Sequence, residues 1–207
     1  MNFKPGIWIF LLFLLFSSMK LQAQITANPT TGCAPLVNVT FSSPPGATGI
    51  NWDFDDGTSS NLPAPIHTFI LPGTYNVIYT ATISGNPVTY PLTVNVYGKP
   101  TVYFGATPPL SGCVPLQVAF HDSSAGGGGT NIISREWAFC DGGTAIGNNP
   151  NPVYSYTIPG AFTVSLKVTD SNGCDSSYSR NNYINTSIPP NAVLSTNPDP
   201  LPLASLL

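Results

Sequence analysis

Three aspartates crowd the stretch Trp52-Asp53-Phe54-Asp55-Asp56-Gly57, the densest source of carboxylate oxygens in the chain. Hard cations want several oxygen ligands, and Asp53 and Asp55, two residues apart on an extended backbone, leave the same face and could share a calcium ion. The spacing is not that of an Asp-x-Asp-x-Asp-Gly loop, because Gly57 arrives one place early. A degraded copy, Trp137-Ala138-Phe139-Cys140-Asp141-Gly142, keeps only the last of the three carboxylates. Asp-Gly pairs have a second use: Asp bonds to the backbone just beyond it, and Gly takes positive φ freely. The turn reading covers Asp56, Gly57, Asp141 and Gly142 in both copies; the calcium reading, on Asp53, Asp55 and Asp56, covers only the first.

Other chemistry is sparse. Of the two histidines, His67 falls where the second copy has Tyr154, which points to packing or a hydrogen bond at a sheet edge. His121 and Asp122 are strand neighbours and point to opposite faces. The chain has no Gly-x-Ser-x-Gly elbow, phosphate loop or zinc helix, and no Cys-x-x-Cys spacing. No catalytic residue, metal or cofactor is therefore expected, and the chain is read as a non-enzyme.

Composition bounds the rest. Met1 to Ala23 has a lysine at position 4, an apolar run from Ile7 to Phe16 and a small residue at Ala23, which together predict a secretory signal peptide over residues 1–23. Without it, four basic residues (Lys99, Arg135, Lys167, Arg180) stand against nine acidic ones, a balance that attracts neither nucleic acid nor anionic lipid. No later stretch matches a membrane helix, so no membrane insertion is expected once the signal is removed. Only 7% of residues are charged, against about 25% in ordinary globular domains, and Thr, Ser, Asn, Gly and Pro replace them. Such a composition favours short strands and tight turns.

The strands must position the repeated motif, and the repeat extends well beyond it. Gly32-Cys33-Ala34-Pro35-Leu36 matches Gly112-Cys113-Val114-Pro115-Leu116, and Pro65-Ile66-His67-Thr68-Phe69 matches Pro152-Val153-Tyr154-Ser155-Tyr156. The offset between copies grows from about 80 to about 87 residues, mostly through a Gly-rich insertion at Ala125 to Thr130. Apolar residues alternate through Val37, Val39 and Phe41; Ile50, Trp52 and Phe54; Tyr75 to Ala81; and Val88 to Val96. The second copy repeats this with Leu116, Val118 and Phe120, then Ile133, Trp137 and Phe139, then Phe162 to Val168. Trp52, Phe54, Trp137 and Phe139 are the predicted core anchors. The first copy has one residue more between its Pro and Phe41 than the second has before Phe120, so a bulge is expected near Leu36. Two half-apolar sheets must cover each other, which predicts an all-β chain of two sandwiches.

Both copies resemble PKD domains, the immunoglobulin-like β-sandwiches named after polycystin. The resemblance rests on the Trp-x-Phe-x-Asp-Gly strand ends, the Pro-x-His/Tyr-x-aromatic segments at His67 and Tyr154, and the Pro-Gly-x-aromatic-x-Val starts at Tyr75 and Phe162. It implies two tandem domains, over 24–98 and 99–187, with 188–207 as a linker or the start of a further unit. The family motif places Gly before the Asp-Gly, where this chain has Asp55 and Cys140. The Gly-Cys-x-Pro-Leu openings resemble PKD arrays of gliding bacteria. This implies an extracellular spacer or adhesion segment, secreted or at the cell surface, with a protein or glycan partner; the alternative is a carbohydrate-binding accessory of a secreted hydrolase. Tyr97, Tyr103, Tyr178 and Tyr183 could stack on a sugar or simply pack.

Four cysteines in an exported chain permit three pairings. Cys113 and Cys174 fall in the same unit, and a bridge between them is the expectation. Cys33 and Cys140 are then either bridged across the units or left as thiols.

Overall fold

The computed structural model describes residues 25–192, so the predicted signal peptide and most of the 188–207 segment lie outside the described residues. The chain divides into two units, Met1–Gly98 and Lys99–Leu207. The first contains β1 (Thr26–Asn28), β2 (Thr31–Cys33), β3 (Leu36–Ser42), β4 (Thr48–Asp53), β5 (Ser59–Ser60), β6 (Ile66–Phe69), β7 (Gly73–Ile83) and β8 (Asn86–Tyr97). They form a three-stranded sheet, β1-β3-β6, and a five-stranded sheet, β2-β8-β7-β4-β5. The second contains β9 (Phe104–Ala106), β10 (Ser111–Cys113), β11 (Leu116–Asp122), β12 (Ile132–Ala138), β13 (Thr144–Gly147), β14 (Val153–Tyr156), β15 (Gly160–Asp170) and β16 (Asp175–Ser187). Its sheets, β14-β11-β9 and β10-β16-β15-β12-β13, repeat the same order strand for strand. The all-β expectation of two tandem immunoglobulin-like sandwiches holds.

Each sandwich closes on its tryptophan. Trp52 is fully buried, with ring centroids 4.5 Å from Tyr79 and 5.2 Å from Phe41. Trp137 sits 5.2 Å from Phe104 and 5.7 Å from Phe120. The equivalent strand register exchanges bulk: Trp52 lies opposite Tyr79 where Trp137 lies opposite Leu166. The volume lost at Leu166 is matched by Phe104, in a position where the first unit has the smaller Ile25, so both cores remain filled.

The bulge forms where the residue count demands it. Leu36 faces Phe69 and Val39 faces His67, so three steps on β3 oppose two on β6, and Asn38 takes the left-handed φ of 57°. Leu36, Val39 and Phe41 therefore point inward, and Val37, expected on the core face, is half exposed. A second bulge, between Ile132 and Ser134, turns Ile133 outward as well; Ile132 packs on the core in its place. The short β2 and β10, which run parallel to β8 and β16, carry too few residues to show a period. β16 escapes a sequence reading for another reason: only Ile184 among its residues is buried.

The expected Cys113–Cys174 bridge does not form. Cys113 is an exposed free thiol opposite Ser187, the last residue of β16, whereas Cys174 directly precedes the first. A strand of 13 residues separates them by roughly 40 Å, far beyond the ~6 Å between α-carbons that a disulfide spans. Cys140 is also a free, exposed thiol, while Cys33 and Cys174 are both disulfide-bonded.

The two tryptophans differ in one bond. Trp52 Nε1 donates to the Leu62 carbonyl at 3.2 Å, but Trp137 Nε1 is buried and meets no acceptor among the described residues. Truncating either ring to Ala should cost about 3–5 kcal/mol. The conservative changes separate them: Trp52→Phe should cost about 1 kcal/mol more than Trp137→Phe, because it alone breaks a hydrogen bond. Urea unfolding of each variant measures the difference.

Candidate binding surfaces and the repeated turn

The aspartates of the motif are used by the fold. Asp53 Oδ1 accepts from the Asp55 amide at 3.1 Å, and Asp55 Oδ2 from the Asn76 amide at 2.8 Å. Asp56 closes the turn: Oδ1 accepts from the Thr58 amide at 3.0 Å and hydroxyl at 2.6 Å, and Oδ2 meets His67 Nε2 at 2.7 Å. Among the described residues no group of three His, Cys, Asp or Glu side chains could hold a metal ion.

The second copy builds the same turn. Asp141 Oδ1 accepts from the Gly143 amide at 3.0 Å and from the Tyr154 hydroxyl at 2.7 Å. In both units the aromatic partner also stacks on the motif phenylalanine: His67 on Phe54 at 4.0 Å, Tyr154 on Phe139 at 3.9 Å. The contact links β4 to β6, and β12 to β14, across the two sheets of each sandwich. Asp55 and Cys140, where the family motif has Gly, keep the glycine-like conformation with φ of 61° and 57°. The turn geometry thus survives the departure.

Size is balanced within the turn. The Tyr154 hydroxyl occupies the space that a β-carbon on Gly143 would need, and the first unit combines Thr58 with the shorter His67. Gly143→Thr alone should destabilise the second unit by about 1–3 kcal/mol through overpacking, and adding Tyr154→His should recover most of the loss. A double-mutant cycle read by thermal melting tests the coupling.

Burial works against ionisation of Asp56, but the Thr58 hydroxyl, the His67 ring and the Thr58 amide outweigh it and hold its pKa below the usual carboxylate value. Asp170, wholly buried, behaves alike: its desolvation is outweighed by bonds from Thr130, Cys174, Gly127 and Asn172. A depressed folded pKa gives stability that is complete above the unfolded value and lost as pH falls through the folded one. Tyr154 has the opposite sign. Its bond to Asp141, then burial, push it up to about 12, so its contribution is complete below the ordinary tyrosine value and lost as pH rises through about 12. Asp56→Asn should flatten the acid limb of the first unit's stability below about pH 4, and Tyr154→Phe the alkaline limb of the second above about pH 10. Thermal melts across pH check both.

With the motif absorbed, the exposed surface remains. On the outer face of the second unit's five-stranded sheet, two rows cross the strands: Ile146, Glu136, Lys167 and Ser177, then Thr144, Ala138, Ser165 and Ser179. They line a shallow groove of about 250 Å³. Lys167 Nζ lies 3.8 Å from Asp175. The first unit offers Asp53, Ile78 and Pro91 in one row and Asn51, Thr80 and Thr89 in the other, without the opposed charges. Of the four tyrosines considered for sugar stacking, the three in the second unit pack together: Tyr103 on Tyr178 at 6.0 Å, with Tyr178 and Tyr183 against Phe104; Tyr97 ends β8 in the first unit. Arg180 covers the Tyr183 ring at 3.7 Å.

The family model for the PKD domain matches residues 20–96 and again 98–185. The chain belongs to the PKD-domain family. A stretch of 78 residues is 36% identical to Collagenase ColA of Bacillus cereus, covering 38% of this chain and 8% of the collagenase. The chain thus spans less than a tenth of that relative's length. The crystal structure of the PKD1 domain of Vibrio anguillarum Epp is 26% identical, with a TM-score of 0.37, over 44% of this chain and 96% of that one. A structure of carbohydrate-binding modules from the β-sandwich superfamily is 27% identical, with a TM-score of 0.40, over 44% and 35%. Among the described residues no helix is long and apolar enough to cross a membrane. Tandem PKD domains fit an extracellular accessory module.

Proposed function

We propose that the chain is a non-catalytic, extracellular PKD tandem that serves as a spacer and binds an extended protein or glycan at or beyond the cell surface. One observation carries this reading: all four carboxylates of the repeated motif, Asp53, Asp55, Asp56 and Asp141, are already engaged by hydrogen bonds of the fold. What remains for recognition is sheet surface, and the groove on β13-β12-β15-β16 supplies hydroxyls and one charge of each sign. A cross-strand array of this kind suits a polymer lying over the sheet more than a small molecule, which wants an enclosing pocket.

The collagenase match favours a second reading, in which these domains are accessory to a secreted hydrolase and hold it on its polymer. Cosedimentation of the secreted chain with insoluble collagen, chitin and cellulose separates the two. Retention on a polymer, without its cleavage, is expected, and Glu136→Lys combined with Lys167→Glu should weaken it at least ~10-fold, about 1.4 kcal/mol. Retention on collagen alone supports the hydrolase accessory. Retention unchanged in the variant removes the groove from the proposal, and release of soluble fragments overturns the non-catalytic reading.

A further inference from the structure

The two units differ most where the second carries its glycine-rich insertion. Around it, three charged residues replace neutral ones: Asp122 stands where the first unit has Ser43, Arg135 where it has Ile50, and Asp170 where it has Ile83. The insertion is fastened. The buried Asp170 carboxylate accepts from the Gly127 amide at 3.2 Å and the Thr130 hydroxyl at 2.9 Å, and Thr101 and Ala125 exchange two backbone bonds of 2.9 Å. A 3-10 turn at Gly127–Gly129 shapes its tip.

Fixed in this way, the insertion walls a depression of about 560 Å³, within the ~300–1,000 Å³ of small-molecule sites. Its lining includes Ser124, Gly126, Gly129, Asn131, Ile132 and Arg135. The guanidinium is held from two sides: Nε donates to Asp122 Oδ2 at 2.6 Å and Nη1 to Asn148 Oδ1. These bonds engage Nε and Nη1 and leave the Nη2 edge, and Asn131, which shares the lining, is exposed. Nothing in the PKD fold requires this expenditure, because the first unit closes the same end without charge.

We infer that this depression is a second binding site, specific to the second unit, for a neutral sugar ring. Arg135 is already neutralised by a carboxylate in contact with it, so the site offers directed donors without net positive charge. Hydroxyl pairs of an uncharged ring accept from the guanidinium edge and Asn131, Ile132 supplies apolar surface for the C–H face, and the glycines allow close approach. An anion gains little from a cation so paired.

The site is separate from the outer-face groove, and the test keeps them apart. Glucose, mannose, N-acetylglucosamine and glucuronate are titrated into the full secreted chain while amide and Arg Nε–H resonances are followed by NMR. Removing Arg135 alone would strand the buried Asp122, so the probing variant is Asn131→Ala, with Glu136→Ala as the groove control. Shifts confined to residues 126–132 and Arg135 with at least one neutral sugar, at a Kd of about 1 mM, are expected. They should weaken at least ~3-fold in Asn131→Ala and remain unchanged in Glu136→Ala. No shift with any neutral sugar, a response to glucuronate alone, or equal binding by Asn131→Ala would overturn the assignment.

Discussion

Each sandwich depends on one small contact at its end. An aspartate leaves a strand of the five-stranded sheet, folds its own turn, and grips an aromatic side chain from the edge strand of the other sheet. Hydrophobic burial is non-directional and would press the two sheets together at many relative offsets. The carboxylate bond and the ring stacked on Phe54 or Phe139 favour one. With that offset fixed, Trp52 and Trp137 fall over the middle of their cores. The outer faces are then left free to differ between the copies, as they do.

Much of this was legible in the sequence. The strict period of two through Val39, Phe41, Trp52 and Val77 follows from the pleat, and the repeat doubled every signal. Even the bulge on β3 could be read from a single extra residue between two matched landmarks. Val37 and Ile133 lie on the outer face, against the alternation, for a related reason: a bulge reverses the alternation on one side of itself, and period alone does not say which side. β16 stayed hidden because it buries almost nothing, being held by its ladder to β15 and not by an apolar stripe.

The candidate sites show a similar division. Comparing the copies identified Asp56 and Asp141 as turn residues, since a role shared by both must rest on what both retain. The pairing of Asp56 with His67 needed the fold, because the partners lie on different sheets and nothing in their spacing connects them. Membership of one unit does not bring Cys113 and Cys174 together, because in a sandwich two residues of one unit can lie at opposite ends of a long strand. Asp122, Arg135 and Asp170 carry no joint signal in the sequence, and their relation appears only when the loop between β11 and β12 is seen to rest on them.

The balance between turn and aromatic partner also limits how the two repeats can exchange sequence. A recombinant that takes its turn from the first copy and its edge strand from the second would place a threonine β-carbon against a tyrosine hydroxyl. The reverse recombinant would leave histidine over glycine, with the threonine hydroxyl gone. Crossovers that keep the turn and edge strand together preserve the match; those that fall between them do not. The short interval between the turn and the edge strand is thus a barrier to piecewise homogenisation of the tandem, so the copies can diverge on their surfaces while each remains internally consistent.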